Sequence, residues 1–211
     1  SSNINSFYKM NKGITILIDS SGSMDGEPLC RAHQMVCDII FAYHNLMQKS
    51  LWVCKDWIHM ILYNSDLNEV ISRHELAYIR KEKPRGIDLE MGMIQPLFFE
   101  FHGHGPKCLG KAIEYVINGY HGDILLIITK GTPSDIFCFN SLIGKCQIAY
   151  KKILVLHGNF AKKVAYEKLT KNIYPWDSFD SVEIVKNMFD MDDTLKRKVL
   201  ENPPRIIELT I

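Results

Sequence analysis

No apolar run in this 211-residue chain approaches the length of a membrane span. The opening Ser-Ser-Asn-Ile-Asn also lacks the charged-then-apolar order of a secretory leader. A cytoplasmic protein is therefore expected. Charge of one sign is missing too: 25 Lys and Arg face 24 Asp and Glu, a formal net charge of +1. That balance gives nucleic acid and anionic membrane no electrostatic footing as partners. Among the six cysteines (Cys30, Cys37, Cys54, Cys108, Cys138 and Cys146) no C-x-x-C pair occurs. Most sit in apolar surroundings, so reduced, buried thiols are expected rather than a disulfide or zinc framework. Also absent are a P-loop G-x-x-x-x-G-K-[ST], a G-x-G-x-x-G and a G-x-S-x-G. No repeat, low-complexity tract or linker divides the chain, and residues 1–211 read as one domain.

What is there is a core's worth of apolar residues, 46% of the chain, arranged in a β-α-β-α rhythm. Ile14–Asp19, Trp57–Tyr63, Ile124–Ile128 and Lys152–Leu156 read as buried strands. Leu67–Ile71 alternates as a short strand returning in a hairpin through Asn64-Ser65-Asp66, and Asn172–Trp176 as a short edge strand. Leu29, Ala32, Val36, Ile39, Ile40, Tyr43, Leu46 and Met47 recur at threes and fours, a helix running from Pro28 to about Lys49. Further helices are expected over Leu109–Asn118, Ile136–Lys145, Ala161–Thr170 and Ser181–Glu201, the last stopped by Pro203-Pro204 before an apolar tail. The segment 72–104 reads as an insertion or irregular stretch. It holds a short helix over His74–Lys81, a charged turn at Lys81–Gly86 and an apolar run, Leu97–Phe101. The fold class is α/β: a doubly wound, mostly parallel central sheet, helices on both faces, one antiparallel edge strand. Ile14–Asp19 and Ile124–Ile128 are expected side by side in its middle.

In such sheets sites form where strands end at their carboxyl edge. There the first strand breaks into Asp19-Ser20-Ser21-Gly22-Ser23-Met24. Asp19, Ser21 and Ser23 alternate, and a tight turn aims one carboxylate and two hydroxyls at one spot, a hard-oxygen set suited to a Mg²⁺-like ion. This D-x-S-x-S after a buried strand resembles the metal-ion-dependent adhesion site of von Willebrand factor A domains. The longer Ser-Gly-Ser-Met-Asp-Gly-Glu-Pro-Leu resembles the TerY-like group of bacterial tellurium-resistance clusters, as does the tail from Trp176. The resemblance implies two more ligand loops. A threonine in a G-x-T-x-x-G-like context matches Gly105-Pro106-Lys107-Cys108-Leu109-Gly110, so its position falls on Lys107. The aspartate of a Thr-Asp-Gly-x-Pro loop matches Thr129-Lys130-Gly131-Thr132-Pro133, so its position falls on Lys130.

An ammonium donates three hydrogen bonds and accepts none. Lys107 or Lys130, turned inward, would stand where an ion stands in the family and pair with Asp19; turned outward, both would reach for water. With a threonine oxygen and a carboxylate both replaced, neither a metal nor another cofactor is expected. The resemblance implies a non-catalytic interaction module of a bacterial stress-resistance or defence system. Its protein partners would be kinase- or phosphatase-like and would bind the loop face around Asp19, Ser21, Ser23, Lys107 and Lys130. Two alternatives stay open. One is a phosphate- or nucleotide-binding enzyme subunit using Ser21, Ser23 and the lysines. The other is a metal-binding domain in which His104 or Asp135 supplies a missing ligand. His102-Gly103-His104-Gly105 reads first as a glycine-rich loop.

Overall fold

A computed structural model describes residues 12–47, 55–81, 87–89, 92–94, 102–119 and 122–191. β1 (Gly13–Asp19) is buried along its whole length because parallel strands flank it on both sides. These are β2 (Trp57–Tyr63) and β7 (Ile124–Thr129). β8 (Lys152–His157) and β9 (Ile173–Pro175) extend the parallel sheet beyond β7, and β3 (Leu67–Glu75) closes the other edge antiparallel to β2. The order is β3-β2-β1-β7-β8-β9. The expected middle pair is present, in register from Ile14 opposite Ile124 to Ile18 opposite Ile128.

Strand alternation divides the core into two layers. Ile14, Ile16 and Ile18 face α1 (Glu27–Met47) and α4 (Ser181–Met188). Leu17, Leu125 and Ile127 face α2 (Leu109–Asn118) and α3 (Ile136–Ala149). With helices on both faces, the central strands have no polar side, which is why they read as continuous apolar runs. The whole apolar stripe read for α1 is buried.

Three expectations need correction. No helix covers 74–81: β3 continues to Glu75, opposite Trp57, through register shifts near Met60. A 3-10 turn (Leu76–Tyr78) and β4 (Ile79–Lys81) follow. The shifts break the alternation that a longer strand would have shown. β4 then pairs antiparallel with β5 (Ile87–Leu89), and β5 with β6 (Gly92–Ile94), as a separate three-stranded sheet. In place of an α-helix over Ala161–Thr170, a 3-10 helix spans Phe160–Tyr166. Its closures run three residues back, Lys162 N–H to Asn159 O and Glu167 N–H to Val164 O. Only Tyr166 within it is buried, too little apolar stripe to hold a packed α-helix.

The final helix is shorter than read. It stops at Met188, where Asp190 takes a left-handed φ of 52° and Met191 N–H reaches back to Lys186 O at 2.8 Å. That closure is usually given to glycine; an aspartate tolerates it better than most residues. Residues 192–201, Pro203-Pro204 and the apolar tail lie outside the described residues, as do Lys49, Cys54, the rest of the Lys81–Gly86 turn and Leu97–Phe101. Cys30, Cys37, Cys108, Cys138 and Cys146 stand outside any disulfide, with Cys37 and Cys146 buried and the other three half-buried.

Candidate functional site

Three loops meet over the carboxyl ends of β1 and β7. The first begins with Asp19, fully buried at the end of β1. Its Oδ1 accepts the N–H of Ser21 at 2.9 Å, a local turn that brings the Ser21 and Ser23 hydroxyls to 3.4 Å from each other. Ser20 anchors this turn to β2, donating both N–H and Oγ–H to Tyr63 O at 2.8 and 3.0 Å. The second loop, 102–108, is laced to the first along the backbone: Gly22 N–H donates to Gly105 O and His104 N–H to Ser20 O, both at 3.0 Å. Gly103 packs so closely that an added Cβ would lie 2.6 Å from Ser21 O.

Lys107 enters from this second loop. Its Nζ lies 2.9 Å from Ser21 Oγ, 2.9 Å from Ser23 Oγ and 3.3 Å from Asp19 Oδ2. The lysine side chain is 9% exposed and the carboxylate 0%, so solvent screens the pair little. Two hydroxyl oxygens and one carboxylate oxygen thus surround an ammonium, two by hydrogen bonds and one by an ion pair. Thr129, at the end of β7, completes the carboxylate's shell by donating its Oγ1–H to Asp19 Oδ2 at 2.7 Å.

The third loop holds Lys107 in place. Ser134 clamps its backbone from both sides, its Oγ accepting Lys107 N–H and its N–H donating to Lys107 O, each at 2.8 Å. Asp135 accepts the N–H groups of Gly110 and Lys111 at 3.0 and 2.9 Å. It thereby caps the first turn of α2, whose own N-cap Cys108 makes no side-chain capping bond. Gly131 leaves the lysine its path: a Cβ there would stand 2.9 Å from Lys107 Cε and 3.1 Å from Nζ.

Behind Gly131, Tyr166 donates its hydroxyl to Gly131 O at 2.7 Å. His157 accepts the N–H of Asn159 on Nδ1 at 3.1 Å, which assigns the proton to Nε2, 3.3 Å from Gly131 O. Burial lowers the pKa of this imidazole, only partly offset by those backbone bonds.

The structure therefore brings Asp19, Ser21, Ser23 and Lys107 together and leaves Lys130 apart. Thr129 turns inward, and the next residue points the other way. Lys130 is half-buried, its Cβ beside Gly158. Among the described residues it makes no ion pair with Asp19. His104 is exposed, and Asp135 is engaged in capping. Sequence reading missed Thr129 and Ser134 as parts of the site. The run Thr-Lys-Gly-Thr-Pro-Ser-Asp directly before a helix, with its Ser-Asp capping pair, was the available signal.

The assembled donor set does not fit a divalent cation. A Mg²⁺ ion needs about six oxygens at roughly 2.0–2.1 Å, and here the centre of the oxygen cluster is filled by an ammonium. Nor, among the described residues, do three or more His, Cys, Asp or Glu side chains gather where they could hold a metal ion.

Neither a family model nor a curated protein matches the chain. Solved structures share its fold. The pilus adhesin SpaC from Lactobacillus rhamnosus GG aligns at 8% identity and a TM-score of 0.61, over 89% of this chain and 31% of that one. A mutant of the PilB minor pilin from Streptococcus sanguinis aligns at 9% and 0.59, over 93% and 64%. Manganese-loaded TRAP protein from Plasmodium vivax aligns at 14% and 0.54, over 83% and 71%. The chain thus spans less than two thirds of the two pilus proteins. At these identities the likeness is one of fold.

Proposed function

We propose that this chain is a non-catalytic protein-interaction module, a von Willebrand A-like domain that binds its partner through the loop face around Asp19, Lys107 and Lys130 without a metal. The observation that carries this reading is the Lys107 ammonium seated among Asp19, Ser21 and Ser23. An adhesion-type loop cluster is retained, tightly cross-braced, with its centre closed to an ion. Adhesin and pilin structures with the same fold support a binding role. The TerY-like character of Ser21–Leu29 supports a bacterial stress-resistance or defence setting in the cytoplasm, with kinase- or phosphatase-like partners. Lys130 gives the face a positive charge that no ion pair with Asp19 neutralises.

Affinity capture from the native host tests this. A specific partner should be retained equally with and without chelator. It should be lost with Lys130→Glu or Thr132→Arg on the loop face and kept with Lys151→Glu at the opposite end of the sheet. Retention that ignores the face variants, or phosphate release by the purified chain from nucleoside triphosphates, would sink the reading.

A further inference from the structure

Asp19, Ser21, Ser23 and Lys107 form a cage, and a partner's carboxylate could bind the cation within it only through a donor left free and reachable. Inside it the Lys107 ammonium donates hydrogen bonds to two hydroxyls and forms an ion pair with the Asp19 carboxylate. Asp19 at −1 and Lys107 at +1 sum to zero, so the cage has no net attraction for an anion. Of its four members only Ser23 is an exposed residue, and it offers a hydroxyl, not a cation. We infer that the Lys107 ammonium is a tethered, permanent replacement for a divalent ion. It holds the three loops in their binding arrangement and gives a partner's carboxylate no place to bind.

This rests on the interaction-module reading only in what it says of the partner; the cage itself is testable on the purified chain alone. Three features of this chain make the replacement possible. The second-loop residue is long enough to reach across to the first loop. The Cβ-free Gly131 leaves the stem room. Ser134 fixes the lysine backbone at both its N–H and its carbonyl. Here the cation is part of the chain, and loop order is independent of ion concentration.

The experiment has two arms on the unmodified chain and one on variants. Thermal unfolding in chelator and in millimolar Mg²⁺ or Mn²⁺ should give the same Tm, because a specifically bound ligand in excess raises it. A metal-dependent rise overturns the inference. In ¹⁵N-lysine spectra one ammonium resonance should persist at neutral pH, protected from exchange by its two hydrogen bonds, its ion pair and its burial. It should disappear in Lys107→Thr and stay unmoved as acetate is titrated. No such resonance, or one that acetate shifts, overturns it. Lys107→Thr should melt lower than the parent in chelator and recover with Mn²⁺, the threonine restoring an oxygen. Lys107→Met should melt lower and not recover. If the threonine variant melts as the parent does and ignores Mn²⁺, the lysine is not the cage's cation. Should neither variant fold, the two arms on the parent still decide. Failure of partner capture leaves all of these readouts intact, so the two readings fail separately.

Discussion

A single residue, Lys107, sets the character of the site. Its ammonium faces a carboxylate that is fully buried, and removing one member of a buried ion pair leaves the other uncompensated, at about 3–5 kcal/mol. Lys107→Met should therefore lower unfolding free energy by about that amount in urea titrations. A loss below about 1 kcal/mol would mean that Asp19 is held by Thr129 and the Ser21 N–H alone. Gly131 is the second sensitive residue. An added methyl would press on Lys107 Cε at 2.9 Å, and the lysine must withdraw or the loop must shift. Gly131→Ala should cost about 1–3 kcal/mol and weaken exchange protection at Lys107, whereas the same change at Gly144, whose Cβ would meet nothing within 4 Å, should gain helix propensity. Equal effects at the two glycines would contradict this account.

Among the elements, α2 depends on a neighbour for its start. Asp135, just before α3, supplies the carboxylate that satisfies two N–H groups of α2's first turn. Asp135→Ala should cost about 0.5–2 kcal/mol and raise amide exchange at Gly110 and Lys111 before it affects α3. Unchanged exchange there would rule out the cross-cap. α3 also buries Cys146 against the sheet, and burial pushes that thiol up to about 12. Cys146 and the buried Cys37 should resist a thiol reagent at pH 8 until denaturant is added, as mass spectrometry of the labelled peptides will show. Labelling of Cys146 in the native protein would mean that α3 opens far below global unfolding.

For the whole molecule, pH acts through two buried groups of opposite sign. The unfolded chain protonates His157 near its ordinary pKa of 6.5, whereas burial holds the folded value lower. Between those values the unfolded state binds more protons, so stability falls as pH drops below about 6.5. Asp56 is raised above 3.8, mainly by burial, against the bonds from Tyr43 and Lys12. The folded state keeps its proton longer, so this group's contribution is present at acid pH and is lost as pH rises through the folded value. The urea midpoint should accordingly decline from about pH 7.5 to about pH 5.5, in the window set by histidine. His157→Gln should flatten that slope, and an unchanged slope would show that other histidines carry it.

The sequence by itself determined the sheet. Continuous apolar runs at Ile14, Trp57, Ile124 and Lys152 have no polar face because helices cover both sides, and such runs have few other homes in a chain of this composition. It also determined where the candidate site lies, since Asp19, Ser21 and Ser23 are neighbours and a local turn suffices to gather them. What it left open were choices made at a distance. Whether Lys107 or Lys130 turns inward depends on strand phase at the end of β7, where Thr129 takes the inner position, and on a path kept clear by a glycine 24 residues from Lys107. The role of Asp135 depends on α2 starting within reach of the third loop. The extension of β3 in place of a helix depends on register shifts against β2, and the 3-10 form of Phe160–Tyr166 on how little of it the core receives. Each is a contest between local patterns of similar strength, and each is decided by packing against a segment far away in the chain.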